Sequence, residues 1–310
     1  MGGCSLPSKQ SNQDLITLGK RKNLQQSYES EDKLVWCGGC GNYGIRNALI
    51  RALTLENLDP GKDVVICYDV GCSGNGSDKI DAYTIHGLHG RVISLAAGAA
   101  LANQNIRVVA EAGDGATFSE GIGHFVHAIR SNYRVVFILH NNENYALTTG
   151  QPSSTTPKGR PMNSAPDGVV LDPINPCDMA LSLGASFVAR TFSGDVKHVT
   201  KTLQQALNHN GFAFIEVMQV CTTYNRQTPQ EWYWDRIQNV EEQKGYDVKN
   251  RAKALASAKD MDKKINIGLL YQNTETPSFM DRLIQREGIT TSLTEEVKHH
   301  NIAPLMKDFY

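Results

Sequence analysis

No run of about 18 apolar residues occurs anywhere in the 310-residue chain, so a membrane-spanning helix is not expected. Charge of one sign is missing too. Lys and Arg number 31 and Asp and Glu 32, a formal net charge of -1 that gives no overall pull toward nucleic acid or an anionic membrane. The opening stretch, MGGCSLPSKQSNQDLITLGKRKNLQQ, has no apolar signal core and little to pack with. It reads as a flexible arm over residues 1–30, and its first residues resemble a myristoylation start at Gly2 only superficially. An even cysteine count is absent as well. Seven cysteines (4, 37, 40, 67, 72, 177 and 221) fit thiols or metal ligands in a reducing cytoplasm better than a disulfide framework. No internal repeat is visible.

What is there is a rhythm. Short β-branched runs such as DVVICYDV (63–70), IRVVAEAG (106–113), YRVVFILHNN (133–142) and FAFIEVMQV (212–220) alternate with segments of helical spacing. The helical segments include NYGIRNALIRAL (42–53), RVISLAAGAALAN (91–103) and VKHVTKTLQQALNH (196–209). Apolar strands alternating with helices predict an α/β fold, a doubly wound and mostly parallel sheet over residues 31–225. In such sheets ligands bind beyond the carboxyl ends of the strands, so the residues after each strand matter most. Residues 143–172 form a long loop rich in Pro, Ser, Thr and Gly, of the kind that is usually functional. Residues 226–310 are charged and weakly periodic, and read as an extension packing on the domain or on a partner.

After the strand RVVAEA comes GDG. Gly113 and Gly115 allow a tight turn, and Asp114 sets a carboxylate at the head of the next helix. Helix-terminal amides suit a phosphate, which the carboxylate would repel; a divalent cation such as Mg²⁺ between them removes the conflict. The next strand ends in Asn141 and Asn142, whose amide oxygen can add an uncharged ligand. Asp114 and Asn142 are 28 residues apart, the span of one helix and one strand, which returns both to the same sheet edge.

Cys37 and Cys40 make a Cys-x-x-Cys in WCGGCG, while Cys72 and Cys221 each follow a strand and can converge on it. Four thiolates hold either Zn²⁺ or a [4Fe–4S] cluster, although one pair with two distant single cysteines fits a zinc knuckle poorly. A thioredoxin-like dithiol needs a strand just before the motif, and none precedes Trp36. Cys67, Cys177 and Cys4 read as structural or incidental, as do His124 and His127, one helical turn apart with no third ligand near.

GDG followed by NN resembles the thiamine diphosphate motif of thiamine-dependent enzymes. More narrowly, WCGGCGNYGIRNAL, VGCSGNG, HGLHGR, GDG, NNENYALTTGQPSSTTP and CTTYN occur in the order found in β subunits of 2-oxoacid:ferredoxin oxidoreductases, over about residues 36–225. The resemblance implies a thiamine diphosphate-binding (pyrophosphate-domain) fold. It makes Asp114, Asn142 and the carbonyl of Asn144 ligands of Mg²⁺, and Cys37, Cys40, Cys72 and Cys221 ligands of one [4Fe–4S] cluster. Gly71, Ser73, Gly90, Gly113 and Gly115 would cradle the cofactor, with Tyr145, Ala146, Leu147 and Thr148 over it. His86, His89, Leu147 and Thr149 would face the reacting groups.

The implied reaction is CoA-dependent oxidative decarboxylation of a 2-oxoacid, with electrons leaving through the cluster to ferredoxin. The substrate is slightly favoured as 2-oxoglutarate over pyruvate or a branched-chain acid. The carboxylate that activates the cofactor lies, in this family, on an α subunit, so an (αβ)₂ assembly is expected and the chain alone should be inactive. Many relatives carry a basic residue where this chain has Asn75, and an Asp where it has Ala116. Both departures bear on which 2-oxoacid is taken. Two competing readings are a non-catalytic iron–sulfur protein on the same fold and a thiamine decarboxylase without a cluster. The second would leave four converging cysteines unexplained.

Overall fold

The computed structural model describes residues 12–298 and 301–309. Among them eight strands form one sheet: β1 (Val64–Tyr68), β2 (Tyr83–His86), β3 (Arg107–Gly113), β4 (Val135–Asn141), β5 (Phe187–Phe192), β6 (Phe212–Met218), β7 (Ile237–Asn239) and β8 (Ile265–Gln272). Their spatial order is β2-β1-β3-β4-β6-β5-β8-β7, and every neighbouring pair is parallel except β5 with β8. β4, β5 and β6 are buried along their whole length, whereas the edge strand β2 is largely exposed. That contrast explains why β4 and β6 read as unbroken apolar runs.

Because side chains alternate across a strand, β4 serves two cores. Val135, Phe137 and Leu139 pack with helices α3 (Val92–Ala102), α4 (Ile122–Ser131) and α5 (Pro176–Leu183). Val136 and Ile138 pack on the other face with α2 (Gly41–Leu55) and α6 (Val196–Leu207). The doubly wound, mostly parallel fold expected from the alternation is therefore the one formed. Aromatic residues are concentrated where the first face is thickest: Phe125 lies edge-on to Phe118 and Phe214 at centroid distances of 5.3 and 5.2 Å. Among the described residues no helix is long and apolar enough to cross a membrane.

Two of the elements outside residues 31–225 pack on the sheet or its helices. Within the stretch read as a flexible arm, α1 (Asn12–Ser27) is helical; Leu24 and the fully buried Tyr28 pack against the α2 face, and the Tyr28 hydroxyl donates to the Leu58 carbonyl at 2.7 Å. Among the described side chains, two apolar anchors in a polar stretch are too few to give a period. Cys4 and the MGGCSLPS start lie outside the described residues. In the C-terminal extension, β8 joins the main sheet, a strand whose INIGLLYQ pattern was masked by the charged residues flanking it.

His209 follows α6 and is buried. Ser186 donates its hydroxyl proton to Asn132 (2.7 Å), so His209 Nε2 is the donor across the 2.8 Å contact to Ser186 Oγ. Burial pushes its pKa down to about 4. The unfolded chain takes up that proton near pH 6.5 and the native protein only near 4. Stability from this group is therefore complete above about pH 6.5 and is lost as pH falls toward 4, a total of ~3 kcal/mol. Denaturant unfolding from pH 7.5 to 4.5 should show this loss, and His209→Gln should flatten it.

Candidate functional site

The sheet reverses its winding between β1 and β3, and a cavity of about 90 Å³ opens at the carboxyl ends of those strands. Its walls are Val70–Ser73 after β1, Gly113–Ala116 after β3, Asn142 after β4, and Asn144–Thr148 from the long loop, with His89, His140 and Gln219 completing it. A Cβ placed on Gly71 or Gly113 would meet no protein atom within 4 Å, so both positions leave room for a ligand against the backbone. Gly115 is held by the opposite need: a Cβ there would fall 2.4 Å from the Tyr145 ring. The chain after Gly115 continues through a π-helical turn, Ala116–Glu120, a feature often found beside functional sites.

Asp114 is buried (1 % exposed) and its carboxylate is half committed. Oδ2 accepts from Ser153 Oγ at 2.5 Å and from Thr155 Oγ1 at 2.6 Å. Burial pushes its pKa up to about 6, against those two hydrogen bonds. Asn142 Oδ1 accepts from the Asn144 amide at 3.1 Å, while Asn144 Oδ1 and Ser73 Oγ are buried with no hydrogen-bond partner among the described residues. A buried carboxylate held near neutrality beside uncommitted oxygens suits a hard divalent cation. A second layer fixes this arrangement: Thr155 Oγ1 also lies 2.9 Å from Asn141 Oδ1, and Asn141 Nδ2 donates to Glu216 Oε1 at 2.8 Å. Glu216 in turn accepts from Arg190 Nε at 2.7 Å, and both side chains of that pair are fully buried.

The second cavity, about 210 Å³, is lined by all four expected thiols: Cys37, Cys40, Cys72 and Cys221. Cys40 caps the N-terminus of α2, and its amide closes a turn onto the Cys37 carbonyl at 3.1 Å. The Gly41 amide ties this turn to Val220 O at 3.0 Å, and Trp36 Nε1 donates to Cys72 O at 2.7 Å. Those two bonds draw the separate cysteine segments together. Burial, reinforced by the neighbouring thiols, pushes Cys72 up to about 12 and raises Cys40 as well. Thiols that resist ionising alone, yet face one another, form a donor set that a cationic group would stabilise. Among the described residues no three His, Cys, Asp or Glu close on the position of a single metal ion; the thiols surround a space instead. The two cavities share Cys72, Asn142, Ala146, Leu147 and Gln219 as a common wall.

Of the residues expected around the cofactor, Gly71, Ser73, Gly113, Asp114, Gly115, Asn142, Asn144, Tyr145, Ala146, Leu147 and Thr148 line the first cavity. Gly90 does not; its φ of 70° turns the chain and its amide donates to Asp69 Oδ1 at 2.9 Å. His89 reaches the cavity, 3.4 Å from Glu120 through Nδ1 and stacked on Tyr145. His86 stays outside it, 3.3 Å from Ser77 Oγ, and Thr149 is exposed with φ 78°. Asn75 lines the cysteine cavity and Ala116 the other. His127 on α4 is exposed and His124 partly so. Cys67 and Cys177 are buried in the core.

Sequence reasoning missed Asp69, Ser153, Thr155, His140 and Gln219. Asp69 accepts from the amides of Val70, Gly90 and Val92, and so fixes the segment that carries His89. The PSSTTP run was the one available signal for the Asp114 clamp.

Residues 69–217 match the model of the thiamine pyrophosphate enzyme C-terminal TPP binding domain, and residues 221–287 match that of the C-terminal part of the pyruvate ferredoxin oxidoreductase beta subunit. The chain is 36% identical over 269 residues to the 2-oxoacid:ferredoxin oxidoreductase 1 subunit beta of Aeropyrum pernix, covering 84% of each. It is also 36% identical to a 2-oxoacid:ferredoxin oxidoreductase subunit beta from a Sulfolobus species, over 88% of this chain and 95% of that one. A solved 2-oxoglutarate:ferredoxin oxidoreductase from Magnetococcus marinus, with 2-oxoglutarate, coenzyme A and succinyl-CoA bound, superposes with a TM-score of 0.82 at 30% identity. That match covers 92% of this chain and 96% of the other.

Proposed function

This chain belongs to the β subunits of the 2-oxoacid:ferredoxin oxidoreductases, and from that premise we propose that it holds thiamine diphosphate, Mg²⁺ and a [4Fe–4S] cluster for CoA-dependent oxidative decarboxylation of a 2-oxoacid. The observation that carries the reading is the common wall: a cation-ready carboxylate cavity and a four-thiol cavity lie back to back at one sheet edge. When bound, thiamine diphosphate supplies an electron sink for loss of CO₂, and the cluster supplies a one-electron acceptor beside it.

The protein's own share is placement. Asp114, Asn142 and the Asn144 carbonyl would hold Mg²⁺, with Gly71, Ser73, Gly113 and Gly115 around the diphosphate. Cys37, Cys40, Cys72 and Cys221 would hold the cluster. Tyr145, Ala146, Leu147 and Thr148 form the long-loop side of the first cavity. His89, beside Glu120, is the group placed to hold or pass a proton at the cavity. Among the described residues Asp114 is the one carboxylate in that lining, and it is committed to the cation. The carboxylate needed against the cofactor's aminopyrimidine must come from an α subunit, in an assembly we take to be (αβ)₂. Electrons pass on to ferredoxin. The six described cysteines are all free thiols, which supports a cytoplasmic setting. 2-Oxoglutarate is the favoured substrate because the solved neighbour carries it.

The test is anaerobic purification with the α subunit, followed by iron, sulfide and thiamine diphosphate analysis. CoA-dependent viologen reduction is then measured with 2-oxoglutarate, pyruvate and branched-chain 2-oxoacids. The complex should contain thiamine diphosphate, iron and sulfide and turn over, fastest with 2-oxoglutarate, and the β chain alone should not. Turnover by the lone chain, or a complex free of iron, overturns the reading.

A further inference from the structure

Gln219 lies one residue beyond β6, is 1 % exposed, and lines both cavities. Its amide group continues a buried polar chain across the sheet edge. Glu111 Oε2 lies 2.8 Å from His140 Nε2, His140 Nδ1 lies 2.9 Å from Asn42 Oδ1, and Asn42 Oδ1 accepts from Gln219 Nε2 at 2.9 Å. The same Nε2 lies 3.6 Å from the Cys40 sulfur. A ligating thiolate only accepts hydrogen bonds, so the amide facing it presents N–H, which is also the orientation that donates to Asn42 Oδ1. Gln219 is therefore anchored from behind by residues of other elements and aimed at a sulfur.

We propose that Gln219 is a positioning residue that donates a hydrogen bond to the Cys40 thiolate and raises the reduction potential of the cluster held there, an inference that rests on the cluster assignment above. One-electron reduction adds one negative charge, which is spread over the cluster and its sulfurs. A donor aimed at one of those sulfurs stabilises the reduced form more than the oxidised one. The Gln219 amide is placed to do this in a buried setting, where water does not compete for the sulfur.

The experiment compares the wild-type αβ complex with Gln219→Met, which keeps the length of the side chain and removes the donor, and with Gln219→Glu, which adds a negative charge. Iron and sulfide content come first, then a redox titration followed by electron paramagnetic resonance. With the cluster fully occupied, the midpoint should move to lower potential in Gln219→Met and further in Gln219→Glu. An unchanged midpoint in both variants overturns the role of Gln219 while leaving the cluster assignment standing. Failure of the cluster to assemble in either variant overturns it as well, because a tuning donor is dispensable for ligation. A wild-type complex without iron and sulfide would instead sink the assignment beneath it.

Discussion

Asp114→Asn should lower the affinity of the αβ complex for thiamine diphosphate and Mg²⁺ by more than about 100-fold, beyond the 10–100-fold cost typical of losing an outer partner of a metal ligand. The substitution keeps shape and burial and removes only the charge. Ser153 and Thr155 can still donate to the remaining oxygen, so the clamp that holds residue 114 survives. What is lost is the one carboxylate lining the cavity among the described residues, and no side chain on that wall replaces its charge. Calorimetric titration with the cofactor and Mg²⁺ reads the loss. Ser153→Ala is the control, with about 10–100-fold expected because one of two clamping hydroxyls remains. The sign with pH follows from the raised pKa: the cation needs the ionised carboxylate, so affinity should fall as pH drops through about 6. An Asn variant that binds as wild type would remove Asp114 from the cation site.

The second large effect concerns the fold beneath the site. Arg190→Met should destabilise the chain by about 3–5 kcal/mol, because it strands the fully buried Glu216 carboxylate without its cation. At this chain length that corresponds to a Tm lower by about 5–10 °C. The double variant Arg190→Met with Glu216→Leu should recover most of the stability, since an apolar pair of similar volume replaces a buried ion pair at little cost. It should not recover cofactor binding. Glu216 Oε1 orients Asn141, Asn141 orients Thr155, and Thr155 holds Asp114, so affinity should stay about 10–100-fold below wild type. A double variant with normal affinity would show that this relay packs the core without aligning the site.

Much of the site was legible because parallel strands deliver their following residues to one edge. Asp114, Asn142, Cys72 and Cys221 each follow a strand whose β-branched run is plain in the sequence, and their convergence needs only the topology. The Cys-x-x-Cys turn was visible as local glycine spacing. What stayed hidden depends on contacts made across strands. Gln219 and Cys40 are separated by 179 residues, and Asp114 meets Thr155 across 41. Nothing local in QVC or PSSTTP states which partner each side chain will find. His86 and Thr149 were placed by the resemblance; here His86 ends the edge strand β2 beside Ser77, and Thr149 is exposed at φ 78°, and neither lines the first cavity. α1 escaped notice because its stretch is polar, with Leu24 and Tyr28 as apolar contacts among the described side chains, and β8, antiparallel to β5, because it lies among charged residues beyond the alternating rhythm.

The common wall has a consequence for how such a protein can change. Leu147, Ala146 and Asn142 face one chamber with one side and the thiols with the other, and Asn75 borders the thiols directly. With the cofactor and cluster seated as proposed, a substitution selected to admit a longer or more branched acid would also alter the polarity and packing around the thiols. On that proposal, substrate range and driving force are coupled across the partition. Lineages that switch acids are expected to carry compensating replacements on its far side, and chimaeras that exchange only one face should bind the new acid yet fail to pass its electrons on.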